Sequence, residues 1–139
     1  MDIATRTAIT ETIINGVKEI ALSKGKAYSG EEDVLANFKR GEDMTGVTKY
    51  QVWAIYAMKH IDTIMNAIKF DPSRPIDKTE GMHGRILDTI TYLTLLECML
   101  FEDKLLDSSL GLNKINEIME LSDNYRKKMS LQNEQQKKS

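Results

Sequence analysis

The segment Arg85–Phe101 limits the fold of this chain more than any other, because it places a carboxylate inside an almost wholly apolar helix. Wound at about 3.6 residues per turn, it carries large apolar side chains on nearly every side of Asp88. A helix without a polar face is normally buried among other helices. A buried carboxylate must then be paired, hydrogen-bonded or bound to a metal ion. Arg85 and Tyr92 lie one turn to either side of Asp88. The pattern predicts either a structural ion pair or the floor of a binding site.

The rest of the chain has the hydrophobic spacing of helices and lacks the alternation typical of strands. The sequence predicts five helices, at about 3–23, 31–40, 48–69, 80–106 and 112–128. Residues 24–30 are predicted to form a polar loop. We expect an all-α helical bundle of about four long helices plus one short helix, in a single domain of residues 1–129 followed by a polar C-terminal tail, 130–139.

Thr48 is the predicted cap of the third helix. Pro72 and Pro75 mark a loop across which the third and fourth helices run antiparallel, with the first and fifth helices packed against them. A helix that is apolar all round in a chain of 139 residues predicts that a second subunit covers one side. We therefore expect a homo-oligomer.

Charge and cysteine content exclude several classes of protein. With 19 basic and 21 acidic residues and a net charge of −2, the chain lacks the clustered cations of a nucleic-acid-binding protein. Its single cysteine, Cys98, lies in the apolar helix and is expected to be an inert thiol in a reducing compartment. No signal pattern or membrane-spanning run is present, so we expect a cytoplasmic protein without a membrane partner.

The motifs of several enzyme classes are missing: the phosphate-binding P-loop, the paired His or Cys ligands of zinc sites and the nucleophile elbow of hydrolases. The carboxylates Asp62, Glu80 and Asp88, with Glu97 as a further candidate, would suit a hard cation such as Mg²⁺. His60 falls on the apolar side of the third helix, where it is either a satisfied core histidine or a ligand contact.

Several short elements together resemble a small all-α family common in bacteriophages, described as the first nucleotide modification associated domain. They are Lys26-Ala27-Tyr28, Leu35-Ala36-Asn37-Phe38, Thr45-Gly46, Val52, Lys59-His60-Ile61-Asp62 and Arg85-x-x-Asp88-x-x-x-Tyr92. The resemblance covers about residues 20–100. That family is similar to the all-α nucleoside triphosphate pyrophosphohydrolases of the MazG and dimeric dUTPase type, which bind Mg²⁺ through Glu-x-x-Glu on one helix and Glu-x-x-Asp on the next.

Asp62 and Asp88 match the last acid of each motif, whereas Lys59 and Arg85 occupy the positions of the first acids. A cation there would repel Mg²⁺ and attract a phosphate group. The resemblance therefore supports nucleotide recognition more than hydrolysis. Lys59–Asp62 and Arg85–Asp88 also have the i,i+3 spacing of ordinary intrahelical ion pairs, and this alternative stays open.

The resemblance implies a phage-type protein of the host cytoplasm that binds a nucleotide or a nucleotide-derived small molecule. The residues expected at the base and phosphate are Tyr28, Asn37, Phe38, Lys59, His60, Arg85 and Tyr92. In the enzyme version, Asp62 and Asp88 are catalytic and bind Mg²⁺ with Glu80, and a phosphoanhydride is hydrolysed.

Two alternatives do not need catalysis. The first is a protein that sequesters a nucleotide and so counters a host defence. The second is a helical module that holds a protein partner through a Met-rich surface, formed by Met58, Met65, Met82, Met99 and Met119.

Overall fold

The computed structural model of the chain describes residues 1–29, 33–106 and 111–138, with the side chains of 25–29 and 138 outside the description. All regular secondary structure in these residues is helical, which confirms the all-α prediction. The helices are α1 (Ile3–Ser29), α2 (Ala36–Thr45), α3 (Lys49–Phe70), α4 (Gly81–Glu102) and α5 (Gly111–Lys138). The chain divides into two compact units, Met1–Glu102 with α1–α4 and Asp103–Ser139 with α5.

The start of α3 is determined locally, by a capping box at Thr48. The Thr48 side chain accepts a hydrogen bond from the Gln51 backbone N–H, and the Gln51 side chain accepts one from the Thr48 backbone N–H at 2.9 Å. Both groups would otherwise lack a partner at the helix end. The predicted cap and the predicted loop between α3 and α4 are confirmed.

Five predicted helix boundaries are wrong, and two of them are the end of α2 at Thr45 instead of residue 40 and the end of α4 at Glu102 instead of residue 106. Helix α1 continues to Ser29 through the predicted polar loop, because one glycine among lysines and alanine is too weak a break to end a helix. The short helix begins at Ala36 and not near residue 31; residues 30–32, part of its predicted start, lie outside the described residues. Helix α5 extends to Lys138, since residues 129–138 are rich in the good helix formers Gln, Glu and Lys.

Helices α3 and α4 are antiparallel, as predicted. Trp53 Nε1 donates to the Tyr92 carbonyl at 2.6 Å, and the Tyr50 hydroxyl donates to the Met99 carbonyl at 3.4 Å. Residues further along α3 thus meet residues earlier in α4. The buried core of this unit lies between α2, α3 and α4 and consists of Leu35, Phe38, Val52 and Met99.

Helix α4 is covered on only one side within the first unit. Leu87, Asp88 and Met99 are buried, but Leu93 is 50% exposed and Ile86 is 37% exposed. The prediction that the whole circumference of this helix is buried does not hold for this unit, and coverage by a second subunit stays a prediction. Cys98 lies on the exposed side, where partial desolvation and the Glu97 carboxylate raise the pKa of its thiol and keep it protonated.

The second unit contains α5, which begins at Gly111, a glycine with a positive φ of 71°. Two i,i+3 ion pairs, Lys114–Glu117 and Asp123–Arg126, lie along its exposed surface. The predicted packing of the fifth helix against the others and the predicted domain bounds stay predictions. Among the described residues, no helix is long and apolar enough to cross a membrane.

Candidate functional site around Asp88

Asp88 is the buried centre of a group of ionisable side chains from α1, α3, α4 and the turn before α4. It is 6% exposed, and its Oδ1 atom lies 2.9 Å from Lys24 Nζ on α1. Its Oδ2 atom lies 3.5 Å from His60 Nδ1 on α3. We call Lys24, His60, Glu80, Arg85 and Asp88 the Asp88 cluster. The predicted burial of Asp88 is confirmed, and so is the need for partners that burial imposes.

Arg85 turns away from Asp88. Its Nε lies 2.9 Å from Asp77 Oδ2, its Nη1 lies 2.9 Å from Glu80 Oε2, and its Nη2 donates to Thr79 Oγ1 at 3.0 Å. Helical side chains lean towards the N-terminus of their helix, which directs the guanidinium of Arg85 towards residues 77–80. Within the described residues, the i,i+3 spacing of Arg85 and Asp88 is therefore not used for an ion pair.

Asp77 organises the turn before α4. One of its oxygens accepts from the Thr79 backbone N–H at 3.1 Å and from the Thr79 hydroxyl at 2.7 Å, and the other accepts from Arg85. The hydrogen bonds from Thr79 and Arg85 hold the pKa of Asp77 well below its usual range. The carboxylate thus stays ionised and binds the loop to the first turns of α4.

His60 is 5% exposed, and its ring lies 5.3 Å from the ring of Tyr92. Burial lowers the pKa of His60, and the charges of Lys59 and Arg85 lower it further, against the opposing effect of Asp88 and Glu80. The imidazole is therefore neutral at pH 7. Arg85 Nη1 lies 3.4 Å from Nδ1, which suits a neutral ring nitrogen that accepts from the guanidinium.

Three members of the cluster could each turn a ligand atom towards a cation. Atoms of His60, Glu80 and Asp88 all lie within 4.8 Å of one another. Asp62, expected to share a metal ion with Asp88, is exposed on α3 and does not belong to this group. The set does not fit Mg²⁺ well, since that ion prefers an octahedron of oxygen ligands and one donor here is an imidazole.

The structure brings together five of the predicted site residues and separates others. The five neighbours, as their contacts show, are His60, Glu80, Arg85, Asp88 and Tyr92. Phe38 is 1% exposed in the core, with its ring 6.4 Å from that of Tyr92, so it supports the site from behind.

The remaining predicted residues stand apart from this group or cannot be placed. Asn37 is half-buried on α2. Lys59 is exposed on α3 and makes no ion pair with Asp62 in the described part of the chain. The side chain of Tyr28 lies outside the described residues.

Two residues of the site were missed by sequence reasoning. The motif Asp77-x-Thr79-Glu80 directly before a helix is a recognisable capping signal and could have identified Asp77. Lys24 stands 64 residues from Asp88 in the chain, and no local pattern connects them.

No protein-family model, curated protein or solved structure matches this chain. What the cluster can do chemically therefore follows from its own groups. Together with the neighbouring Tyr92, it offers a half-exposed ammonium paired with a buried carboxylate, a guanidinium held by three oxygen acceptors, a neutral imidazole and an aromatic ring. These groups suit the recognition of a small anion that carries a ring.

Proposed function

We propose that this chain binds a nucleotide or a nucleotide-like phosphorylated small molecule at the Asp88 cluster. The observation that carries the proposal is the ion pair between Lys24 and Asp88, because its two ends differ in exposure. The Lys24 side chain is 52% exposed and that of Asp88 is 8% exposed. An ammonium has three donors, and Asp88 engages one of them at 2.9 Å. The others are within reach of an anion from solvent.

The surroundings of the ion pair suit the rest of such a ligand. The partly exposed ring of Tyr92, which lies 5.3 Å from the buried ring of His60, gives an aromatic group beside the cations. Lys59 adds a positive charge close enough to lower the pKa of His60. The resemblance to the phage nucleotide modification associated domain favours the same ligand class. A protein that sequesters a nucleotide without hydrolysing it needs only these contacts.

Hydrolysis of a phosphoanhydride is the second candidate, and it is favoured by the proximity of His60, Glu80 and Asp88. The resemblance supplies the expected reaction, with Asp62 and Asp88 as the catalytic acids and Mg²⁺ as the cofactor. The separation of Asp62 from the cluster counts against this version, so we rank it below binding.

One experiment separates binding from hydrolysis. The full chain is incubated with adenosine, guanosine, cytidine and uridine triphosphates, in EDTA and in MgCl₂. Melting temperature and release of pyrophosphate are both measured. Binding predicts stabilisation by at least one triphosphate without release, whereas release that is abolished by Asp88→Asn would establish the enzyme.

A matched control for this experiment is Asp123→Asn, which removes a carboxylate of the same type from α5 in the second unit. It should behave as the unmodified chain. Neither stabilisation nor release with any of the four triphosphates would reject both candidates.

A protein-interaction module remains a third candidate because part of the predicted Met-rich surface is exposed. Met58 and Met65 on α3 are 47% and 59% exposed, although Met99 is buried in the core. Flexible methionines on a surface suit a partner of variable shape. A stoichiometric protein partner whose binding is lost in a Met58→Glu Met65→Glu variant, with no nucleotide response, would favour this candidate.

A further inference from the structure

Side-chain cations already face the carboxylates of the Asp88 cluster. Lys24 Nζ lies 2.9 Å from Asp88, and Arg85 Nη1 lies 2.9 Å from Glu80 and 3.4 Å from His60 Nδ1. Each of the three groups that could ligate a metal ion therefore has a nitrogen of this chain beside it.

A divalent ion would have to compete with these contacts. It would either separate Asp88 from Lys24 and Glu80 from Arg85 or, bound through the second oxygen of each carboxylate, lie next to two positive side chains. Like charges at such distances repel, and they repel more strongly in a partly buried site than in water. Mg²⁺ also gives up its own water ligands reluctantly. The cluster therefore has the charge arrangement of a site whose cations belong to the protein.

We infer that the Asp88 cluster binds the phosphate group of its ligand without a divalent metal ion, and that Lys24 Nζ makes the direct contact. This inference rests on the proposed function and specifies how that site works. Asp88 is then a positioning residue, which holds the ammonium in place through Oδ1 at 2.9 Å. The neutral His60 packs against the buried side of the cluster and adds no charge to it.

Lys24 is the contact residue because Arg85 is already engaged. The guanidinium of Arg85 contacts Asp77, Thr79, Glu80 and His60, and its side chain is 14% exposed. Few donors of Arg85 remain for a ligand. Lys24 Nζ donates to one acceptor, Asp88 Oδ1, and half of its side chain is in solvent, so a phosphate oxygen can reach it without breaking the pair.

Calorimetric titration of the full chain with ATP as the probe tests the inference, at constant ionic strength, in EDTA and in MgCl₂. We expect the same affinity within about twofold in both buffers. A charge-assisted hydrogen bond contributes enough for Lys24→Gln to weaken binding about tenfold or more. Lys24→Arg should retain most of the affinity. Lys18→Gln, an exposed position on the same helix, should have no effect.

A second arm measures Mn²⁺ binding by electron paramagnetic resonance, without any nucleotide. We expect no Mn²⁺ binding that depends on Asp88. Mn²⁺ binding that is lost in Asp88→Asn would overturn the inference whatever ATP does, and circular dichroism of that variant shows whether it is folded.

The outcomes also separate the inference from the proposed function. Binding of ATP only in MgCl₂, or binding unaffected by Lys24→Gln, would overturn the inference and leave the proposed function standing. Absence of binding by ATP and the other three triphosphates in both buffers would remove the proposed function, and the inference with it.

Discussion

Lys24 and Asp88 form one ion pair, but removing either end should have different consequences, because one end is half-exposed and the other is buried. A lysine that loses its carboxylate can turn to water, which limits the cost of the change. A buried carboxylate that loses its lysine has no other ion pair with a cation among the described residues, because the neighbouring imidazole of His60 is neutral. The usual penalty for breaking a buried ion pair arises from a charge that stays buried without its partner. It therefore applies when Lys24 is removed and Asp88 remains, and not when Asp88 is removed and Lys24 remains.

Asp88→Asn should reduce affinity more than stability. The amide keeps the shape of the side chain, and the freed Lys24 is solvated. We therefore expect the free energy of unfolding to fall by about 1–2 kcal/mol. That corresponds to a fall of roughly 3–6 °C in melting temperature for a chain of this size. Triphosphate binding should weaken about tenfold or more, since Lys24 is no longer held in place.

Thermal melting and calorimetric titration measure the two effects of Asp88→Asn side by side. Asp43→Asn, which changes an exposed carboxylate on α2, is the control and should alter neither. A fall of more than 10 °C with unchanged affinity would show that Asp88 is purely structural.

His60 should make stability depend on pH in the direction set by its lowered pKa. The unfolded chain takes up a proton near the ordinary value of 6.5, whereas the folded chain does so only at lower pH. The contribution of His60 is thus fully present above pH 6.5 and is lost as the pH falls from there through the pKa of the folded state.

Urea unfolding at pH 7.5, 6.5 and 5.5 measures this dependence. His60→Gln should flatten it, while His83→Gln, at the exposed second histidine, should leave it unchanged. If the free energy of unfolding changes equally with pH in the two variants, the buried, neutral state of His60 is contradicted.

At the scale of helices, two glycines allow close contacts between neighbouring elements. A Cβ atom at Gly41 on α2 would lie 2.8 Å from Val52 Cγ1 on α3, and one at Gly16 on α1 would lie 2.9 Å from Leu87 Cδ1 on α4. The two neighbours differ in stiffness. Valine is branched at Cβ and has one strongly preferred rotamer in a helix, whereas the end of a leucine side chain can move.

Gly41→Ala should therefore destabilise the first unit more than Gly16→Ala. Alanine gains about 1 kcal/mol of helix propensity at both positions. At Gly16 this gain offsets much of the crowding, but at Gly41 overpacking against Val52 costs about 1–3 kcal/mol.

Chemical denaturation of both variants, and of Gly41→Ala combined with Val52→Ala, measures the difference. The double variant should recover part of the stability that crowding removes in Gly41→Ala, because the clashing methyl groups of Val52 are gone. If Gly16→Ala is the more damaging change, the account based on side-chain stiffness is wrong.

At the scale of the whole molecule, the first unit exposes large apolar side chains that a monomer would leave in water. Ile14 on α1 is 48% exposed and Leu93 on α4 is 50% exposed. Apolar surface of this kind, when contiguous, marks a site of interaction. We therefore keep the proposal that the chain associates with further copies of itself.

Light scattering coupled to size exclusion should give a mass of at least twice 15.8 kDa at micromolar concentration. Leu93→Glu should shift the distribution towards the monomer, because a charge on α4 opposes burial of that side. Met44→Glu, at an 85% exposed position on α2, should not. A clean monomer for the unmodified chain would reject the proposal.

The sequence alone was sufficient for the features that depend on near neighbours. The helical class follows from hydrophobic spacing, the start of α3 from Thr48 and Gln51, and the loop after α3 from Pro72 and Pro75. The burial of Asp88 was also predictable, because the apolar residues that surround it lie within the same few helical turns. Each of these signals acts over less than about twenty residues.

The partners of Asp88 were decided only by the tertiary structure. Spacing alone favoured Arg85, yet helix geometry turns that guanidinium to Asp77, and packing of α1 on α4 brings Lys24 to the carboxylate. Lys59 and Asp62 have the same spacing as Arg85 and Asp88, but they face solvent because of how α3 packs. A contact between residues 64 positions apart depends on how whole helices pack, and no local pattern in the sequence records it.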